Sequence, residues 1–380
     1  MVEMCSLGMS THTLHLQLTT PARDARPVFI TGNFCDWAIN VDSLQLRSTG
    51  KGRYAIDLPV DESWPDTIEY KYHRGEDGSF ELNEAGEGVP NRVIAREATE
   101  QEDYVPFWQW HSLPYQHHWL PAFEELPFVY PDSNEPRRVR VLLPADYQAT
   151  NRHYPVLYLN DGQNMLGEGE GFGSWGVEER MAMLASRSHH ELIIVAVDHG
   201  GAARIEEFLV GKAMQKVGRG KAYITFLADT VKPYIDTHYR TLPEPEHTGI
   251  GGSSMGGLIS VFGGLLRPDV FGRWLVFSPS LWITPSIYKL AVRTPLPPYV
   301  KTYLYGGEAE SRTLVSDLKR LHQSLHCAEG ACLLSEVAID PNGRHEEWRW
   351  SREFARAVDY LFFNYLEPTP EEVSEALETV

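Results

Sequence analysis

The sequence predicts a two-part chain: a small all-β sandwich, then a larger α/β region on a mostly parallel sheet covered on both faces. Three observations predict it. Between residues 10 and 97, short strand-like runs are punctuated by Gly50, Gly52 and Gly75, the spacing of a sandwich. From Arg137 onward, continuous apolar runs such as Val156–Leu159 and Leu192–Val197 alternate with helical patterns, as expected of parallel strands buried on both faces. Residues 246 to 266, EHTGIGGSSMGGLISVFGGLL, set a glycine-flanked serine between a short strand and a helix, a junction typical of the strand ends of such a sheet.

Composition narrows the function. The chain has 380 residues and a formal charge of -18, so it lacks the basic field that nucleic acid or an anionic membrane requires. Four cysteines (Cys5, Cys35, Cys327, Cys332) are too few for a disulfide framework and read as free thiols. The N-terminus, MVEMCSLGMSTHTLHL, lacks a basic segment followed by an apolar one, and no apolar run reaches spanning length. The expectation is a cytoplasmic protein.

In the first part, Leu14, Leu16 and Leu18 alternate with polar residues over Thr11–Leu18, a half-buried strand. Val28–Thr31, Gly52–Leu58 and Thr67–His73 read as further strands. Residues 98–125 mix charge, proline and aromatics without a period, and read as an ordered linker. His117-His118 lacks accompanying ligands at metal spacing, so no metal is expected. In the second part, strands are expected at Arg138–Leu143, Gly249–Gly251, Trp274–Phe277, Thr302–Tyr305 and Leu333–Ala338. Helices are expected at Val177–Ser186, Tyr223–Tyr234, Leu314–Leu325 and Glu347–Leu366. Ile224, Leu227, Val231 and Tyr234 would share one helix face. The domain limits follow: 10–97 sandwich, 98–125 linker, 126–367 α/β domain, 368–380 acidic tail.

The chemistry centres on Gly252-Ser253-Ser254-Met255-Gly256, which fits G-x-S-x-G, a turn that holds a nucleophilic serine between strand and helix. Leu258, Val261, Phe262, Leu265 and Leu266 give the following helix its apolar face. On such a sheet an acid and a histidine follow the nucleophile in chain order, each at a strand end. Both places are occupied: Glu308 and Glu310 follow Thr302–Tyr305, and His345 follows Leu333–Ala338. His345 would take the Ser254 proton and return it to the leaving alcohol, with a carboxylate fixing its tautomer. The strand rule leaves Glu308 and Glu310 equal. The oxyanion donors would be the Met255 N–H and one from Gly162 or Gln163, in the loop after Val156–Leu159.

These segments resemble the family known as Putative esterase, with its enterobactin esterases, esterase D and feruloyl esterases. The resemblance spans about residues 126 to 366. It is carried by YPVLYLNDGQN from Tyr154, KPYIDTHYR from Lys232, Gly252-Ser253-Ser254-Met255-Gly256-Gly257, Ser278-Pro279-Ser280-Leu281-Trp282 and Gly343-Arg344-His345. It implies an α/β-hydrolase and a cofactor-free serine esterase acting on a small-molecule ester. It carries over Ser254 and His345, and it favours Glu310 as the acid, three residues past Gly307. Arg204, with Glu206 and Glu207, is similar to the family's R-x-x-E loop and reads as a structural ion pair or a substrate contact. Trp175 and Trp282 read as pocket walls or core.

The first part, with Val28-Phe29-Ile30-Thr31-Gly32-Asn33-Phe34-Cys35-Asp36-Trp37 and Pro90-Asn91-Arg92, resembles an immunoglobulin-like, starch-binding type module. That resemblance implies a glycan on Trp37 or Trp64, or a docking domain that covers the pocket. A sandwich ahead of the hydrolase resembles the enterobactin-esterase arrangement. The rival expectations are an acyl-carbohydrate esterase and a non-catalytic glycan-binding protein.

Overall fold

The computed structural model describes residues 12–363 apart from 21–25, 76–78, 132, 168, 170–172, 189 and 327–332. The acidic tail, Cys5, Cys327 and Cys332 lie outside the described residues, and Cys35 is a free thiol. The chain divides into two compact units, residues 1–119 with 182–189 and residues 120–181 with 190–380.

The first unit holds β1 (His12–Thr19), β2 (Val28–Gly32), β3 (Gln45–Gly50), β4 (Arg53–Val60) and β5 (Thr67–His73). It continues with β6 (Glu81–Leu82), β7 (Arg92–Ala95), β8 (Glu100–Tyr104) and β9 (Phe107–Trp108). Seven strands follow the order β7-β5-β2-β3-β4-β1-β8, and their inward residues, Leu14, Leu16, Leu18, Ile30, Leu58, Ile68 and Tyr70 among them, share one core. That is a β-sandwich, and the alternation in β1 is the pattern the sequence displays.

The stretch read as a linker contributes β8, which pairs with β1 in parallel. Its inward residue is Asp103, not an apolar one, which hid the strand from periodicity. Asp103 is buried yet accepts hydrogen bonds from the Tyr70 and Tyr72 hydroxyls, both at 2.8 Å, and from Arg92 at 2.9 Å. A buried carboxylate is tolerated when it is so paired.

The second unit is built on β10 (Ala122–Tyr130), β11 (Glu135–Leu143), β12 (Val156–Asn160), β13 (Ile193–Val197) and, after a small hairpin of β14 (Lys212–Ala213) and β15 (Lys216–Val217), β16 (Thr248–Ser253), β17 (Arg273–Phe277), β18 (Lys301–Gly307) and β19 (Leu334–Asp340). The eight-stranded sheet runs β10-β11-β13-β12-β16-β17-β18-β19. β10, β11 and β13 pair antiparallel, and from β13 to β19 every pairing is parallel. The start of β10 also falls within the stretch read as a linker. Strands β12, β13, β16, β17 and β18 are almost wholly buried, as two covered faces require. After β13 the chain returns to the far side of β12 to form β16, so the order reverses there. A doubly wound sheet opens a crevice at such a point, beyond the carboxyl ends of its strands.

Among the described residues eight helices connect the strands: α1 (Val177–Ser188), α2 (Arg204–Phe208), α3 (Gly220–Phe226), α4 (Lys232–His238), α5 (Met255–Leu266), α6 (Ser286–Arg293), α7 (Leu314–His326) and α8 (Glu347–Val358). A π-turn at Leu227–Val231 joins α3 to α4. Its wider turn shifts the helix phase, so Ile235 continues the buried stripe and Tyr234, expected on that stripe, is 37% exposed. Among the described residues no helix is long and apolar enough to cross a membrane.

Candidate active site

Ser254 stands between β16 and α5 with φ 57° and ψ -120°, a backbone state that non-glycine residues hold only when their surroundings force it. Here the surroundings do so. The Ser254 N–H donates to the Phe277 carbonyl at 3.0 Å, and the Ser254 carbonyl accepts from Ser280 N at 2.9 Å and Leu258 N at 3.1 Å. The flanking glycines make room for the turn. A Cβ at Gly256 would lie 2.8 Å from Asp161 Oδ2, and one at Gly257 would lie 2.9 Å from the Phe277 carbonyl oxygen.

The turn is tied to β12 by Asn160, buried at the strand's end. Its Nδ2 donates to the Gly251 carbonyl at 3.0 Å, the Gly256 carbonyl at 3.2 Å and Ser260 Oγ at 2.9 Å, while its Oδ1 accepts from the Tyr223 hydroxyl at 2.8 Å. The sequence pattern does not single out Asn160 for this role, although a polar residue closing an apolar strand is a visible signal.

Beyond β18 and β19, two loops are pressed together at glycine. A Cβ on Gly343 would come within 2.6 Å of Gly307 Cα. This contact carries Glu310 to His345: Nδ1 of the ring lies 2.7 Å from Glu310 Oε2. The other carboxylate oxygen, Oε1, accepts from Ser278 Oγ and from the Gly307 N–H, each at 2.7 Å. Ser278 is held in turn by Trp350 Nε1 at 2.9 Å, and the Trp350 ring meets His345 edge-on at 4.8 Å. The Glu310 side chain is 3% exposed and that of His345 46%. Glu308 is exposed and its backbone N–H bonds the Asp340 carbonyl, so the structure sets Glu310, not Glu308, against the histidine.

Ser254 and His345 open on one cavity of about 320 Å³, also walled by Asp161, Asn164, Met165, Trp175 and His199. Arg204, Glu347 and Trp350 complete that wall. Ser254 Oγ lies 3.3 Å from Ser280 Oγ. Asp161, at φ 57°, starts the turn that carries Gly162 and Gln163. Gln163 is clamped to the backbone of His199 at 3.1 Å in both directions, and the Gly162 carbonyl accepts from Arg140. Met255 begins α5.

Arg204 forms an ion pair and lines the cavity, but its partner is not one of its neighbours in sequence. It does not pair with the glutamates of its own helix: Glu207 is engaged by Arg137 at 2.7 Å and Glu206 by Lys216 at 2.6 Å. Arg204 instead grips Asp161 with two bonds, 2.6 Å and 2.8 Å, a fork geometry that guanidinium and carboxylate favour. Trp175 is buried against Phe277 at 5.3 Å and lines the cavity. Trp282 is 67% exposed and is not brought into that wall. Two titratable lining groups escaped the sequence reading. Burial pushes His199 toward its neutral form and holds the Glu347 carboxyl above the usual carboxylate range.

A serine at a strained strand-to-helix turn, with a carboxylate-bound histidine on the same cavity of a doubly wound sheet, defines the α/β-hydrolase class. Residues 131–358 match the family described as Putative esterase, and the chain belongs to that family. It is a carboxylic ester hydrolase. The uncharacterized protein YbbA of Bacillus subtilis is 22% identical over 248 residues, 60% of this chain and 92% of YbbA. An endo-1,4-beta-xylanase/feruloyl esterase of Xylanibacter ruminicola is 23% identical over 247 residues, 63% of this chain but 31% of that enzyme. Among solved structures, the enterobactin esterase FES from Shigella flexneri, determined in the presence of enterobactin, aligns over 94% of each chain with a TM-score of 0.53 and 15% identity. At that identity the likeness is one of fold, and it extends through both units.

Proposed function

We propose that the protein hydrolyses a small-molecule carboxylic ester through an acyl-enzyme on Ser254, with His345 as general base and Glu310 as the residue that orients it. The observation that carries this reading is the 2.7 Å contact between His345 Nδ1 and Glu310 Oε2 on the cavity that Ser254 shares. With Nδ1–H held by the carboxylate, Nε2 is left as the base. Ser254 Oγ adds to the ester carbonyl carbon as its proton passes to Nε2, and the carbonyl oxygen becomes an alkoxide. The Met255 N–H and that of Gly162 or Gln163 are assigned to this oxygen. Collapse breaks the C–O bond, and the alcohol leaves with the proton from Nε2. Water then repeats the sequence on the acyl-enzyme. The catalytic domain is taken as residues 126–367. Ser254→Ala, purified and folded, should lose p-nitrophenyl acetate turnover by several orders of magnitude; retained turnover rejects the assignment.

For the substrate, the fold shared with FES through both units supports a siderophore-type ester hydrolysed inside the cell. The feruloyl esterase relative supports a second reading, an acyl-carbohydrate ester with a glycan held by residues 10–97. Trp37 is 38% exposed and suits that role, whereas Trp64 is stacked on Phe34 with centroids 4.3 Å apart, so that face is taken. Maltooligosaccharides should quench tryptophan fluorescence if the glycan reading holds, and a Trp37→Ala variant should lose the change. A hydrolysis screen with ferric enterobactin and acetylated or feruloylated oligosaccharides separates the two esters.

A further inference from the structure

The charged groups around the cavity do not cancel. Arg204 is the cation on its wall, and its guanidinium is already matched by Asp161 in a two-bond pair. His199 accepts the Gly201 N–H on Nδ1 at 2.9 Å, which leaves the ring neutral with its proton on Nε2. His345 faces its own carboxylate, Glu310. Glu347, at the first position of α8 and two residues past His345, lines the same cavity; Arg204 and His345 attract it, but among the described residues no side chain forms an ion pair with it.

We propose that Glu347 makes the pocket beside Ser254 an anionic subsite that selects esters bearing a cationic group, such as an ammonium, over neutral and anionic esters of the same shape. The inference rests on Ser254 being the nucleophile and goes further by naming the charge class of the substrate. A carboxylate with no ion-pair partner is ready for a cation that arrives with the substrate, and it repels any anion brought to the same wall. Screening limits the size of the effect. Attraction over ~5 Å in a half-exposed setting corresponds to about tenfold in kcat/KM.

The test is the ratio of kcat/KM for acetylcholine to that for its uncharged isostere, 3,3-dimethylbutyl acetate, with 4-acetoxybutanoate as the anionic arm. In the wild-type enzyme the cationic ester should lead by about tenfold, the anionic ester should trail, and added salt should compress both ratios. Glu347→Gln should bring the cation-to-neutral ratio close to one, and Glu347→Lys should invert it. Should either variant fail to fold, the wild-type ratio and its salt dependence decide alone. Equal wild-type rates for the three esters, or ratios unmoved in a folded Glu347→Gln, overturn the inference while p-nitrophenyl acetate turnover keeps the Ser254 reading intact. No turnover of any ester, p-nitrophenyl acetate included, overturns both.

Discussion

Glu310→Gln is isosteric, and the structure decides which way the new amide must face. Oε1 of the native carboxylate accepts from the Gly307 N–H at 2.7 Å and Oε2 meets His345 Nδ1 at 2.7 Å. The Gly307 donor is backbone and cannot turn, so the amide oxygen of the variant has to stay on that side. Its NH2 is then left facing His345. It donates to Nδ1, which must become an acceptor, and the ring proton moves to Nε2, the nitrogen needed as base. An equivalent tautomer trap in the serine-protease triad lowers turnover about ten-thousandfold, or ~5.4 kcal/mol at 1.36 kcal/mol per tenfold. The Glu310 side chain is 3% exposed, so the Gly307 N–H and the Ser278 hydroxyl, rather than water, hold the amide in place. The assay is steady-state p-nitrophenyl acetate hydrolysis at pH 7, with thermal unfolding as a control for structure. Glu308→Gln, at an exposed site, should stay within about tenfold of the parent. A Glu310→Gln enzyme retaining more than about a tenth of parental kcat would refute the argument, and the reverse ranking of the two variants would move the acid to Glu308.

Three other outcomes follow from packing. Gly343→Ala puts a Cβ 2.6 Å from Gly307 Cα, which drives the acid and histidine loops apart; kcat should fall at least a hundredfold with the fold retained, and a near-normal rate would show that the glycine contact does not set the pair. Asn160→Leu strands the Tyr223 hydroxyl and takes a donor from the Gly251 carbonyl, while the Gly256 carbonyl keeps Ser260 Oγ, costing about 2 kcal/mol; an unchanged urea midpoint would reject this. His73 is buried between Phe29 and Phe80, and burial lowers its pKa from 6.5 to about 4. The unfolded chain therefore takes up a proton below about pH 6.5 that the native state refuses until about pH 4, so stability present at neutral pH is lost on acidification, about 2 kcal/mol between pH 7 and pH 5. His73→Phe should flatten that dependence, and urea melts at both pH values will reveal whether it does.

What could be read from the chain was whatever depends on neighbours in sequence. The glycines around Ser254 are a local requirement of a tight turn, and they announce themselves at a spacing of two. The apolar runs of β12, β13 and β17 declare a sheet covered on both faces, and a sheet of that kind has strand ends at which an acid and a histidine can be sought. Tertiary structure decided which group fills each place. Glu308 and Glu310 leave β18 equivalently, and only the contact of Gly307 with Gly343 on a distant loop turns Glu310 to His345. Arg204 sits beside two glutamates in sequence, yet its partner is Asp161 at the end of β12. Trp175 and Trp282 read alike; the crossing of α8 over β17 buries the first among Phe277, Trp350 and Phe354, while nothing covers the second to the same extent. β8 escaped notice because its inward residue is Asp103, whose hydroxyl and guanidinium partners come from β5 and β7. Pattern reveals which face of an element is apolar, but the partner of a polar side chain depends on which elements the fold brings beside it, and that information is not local.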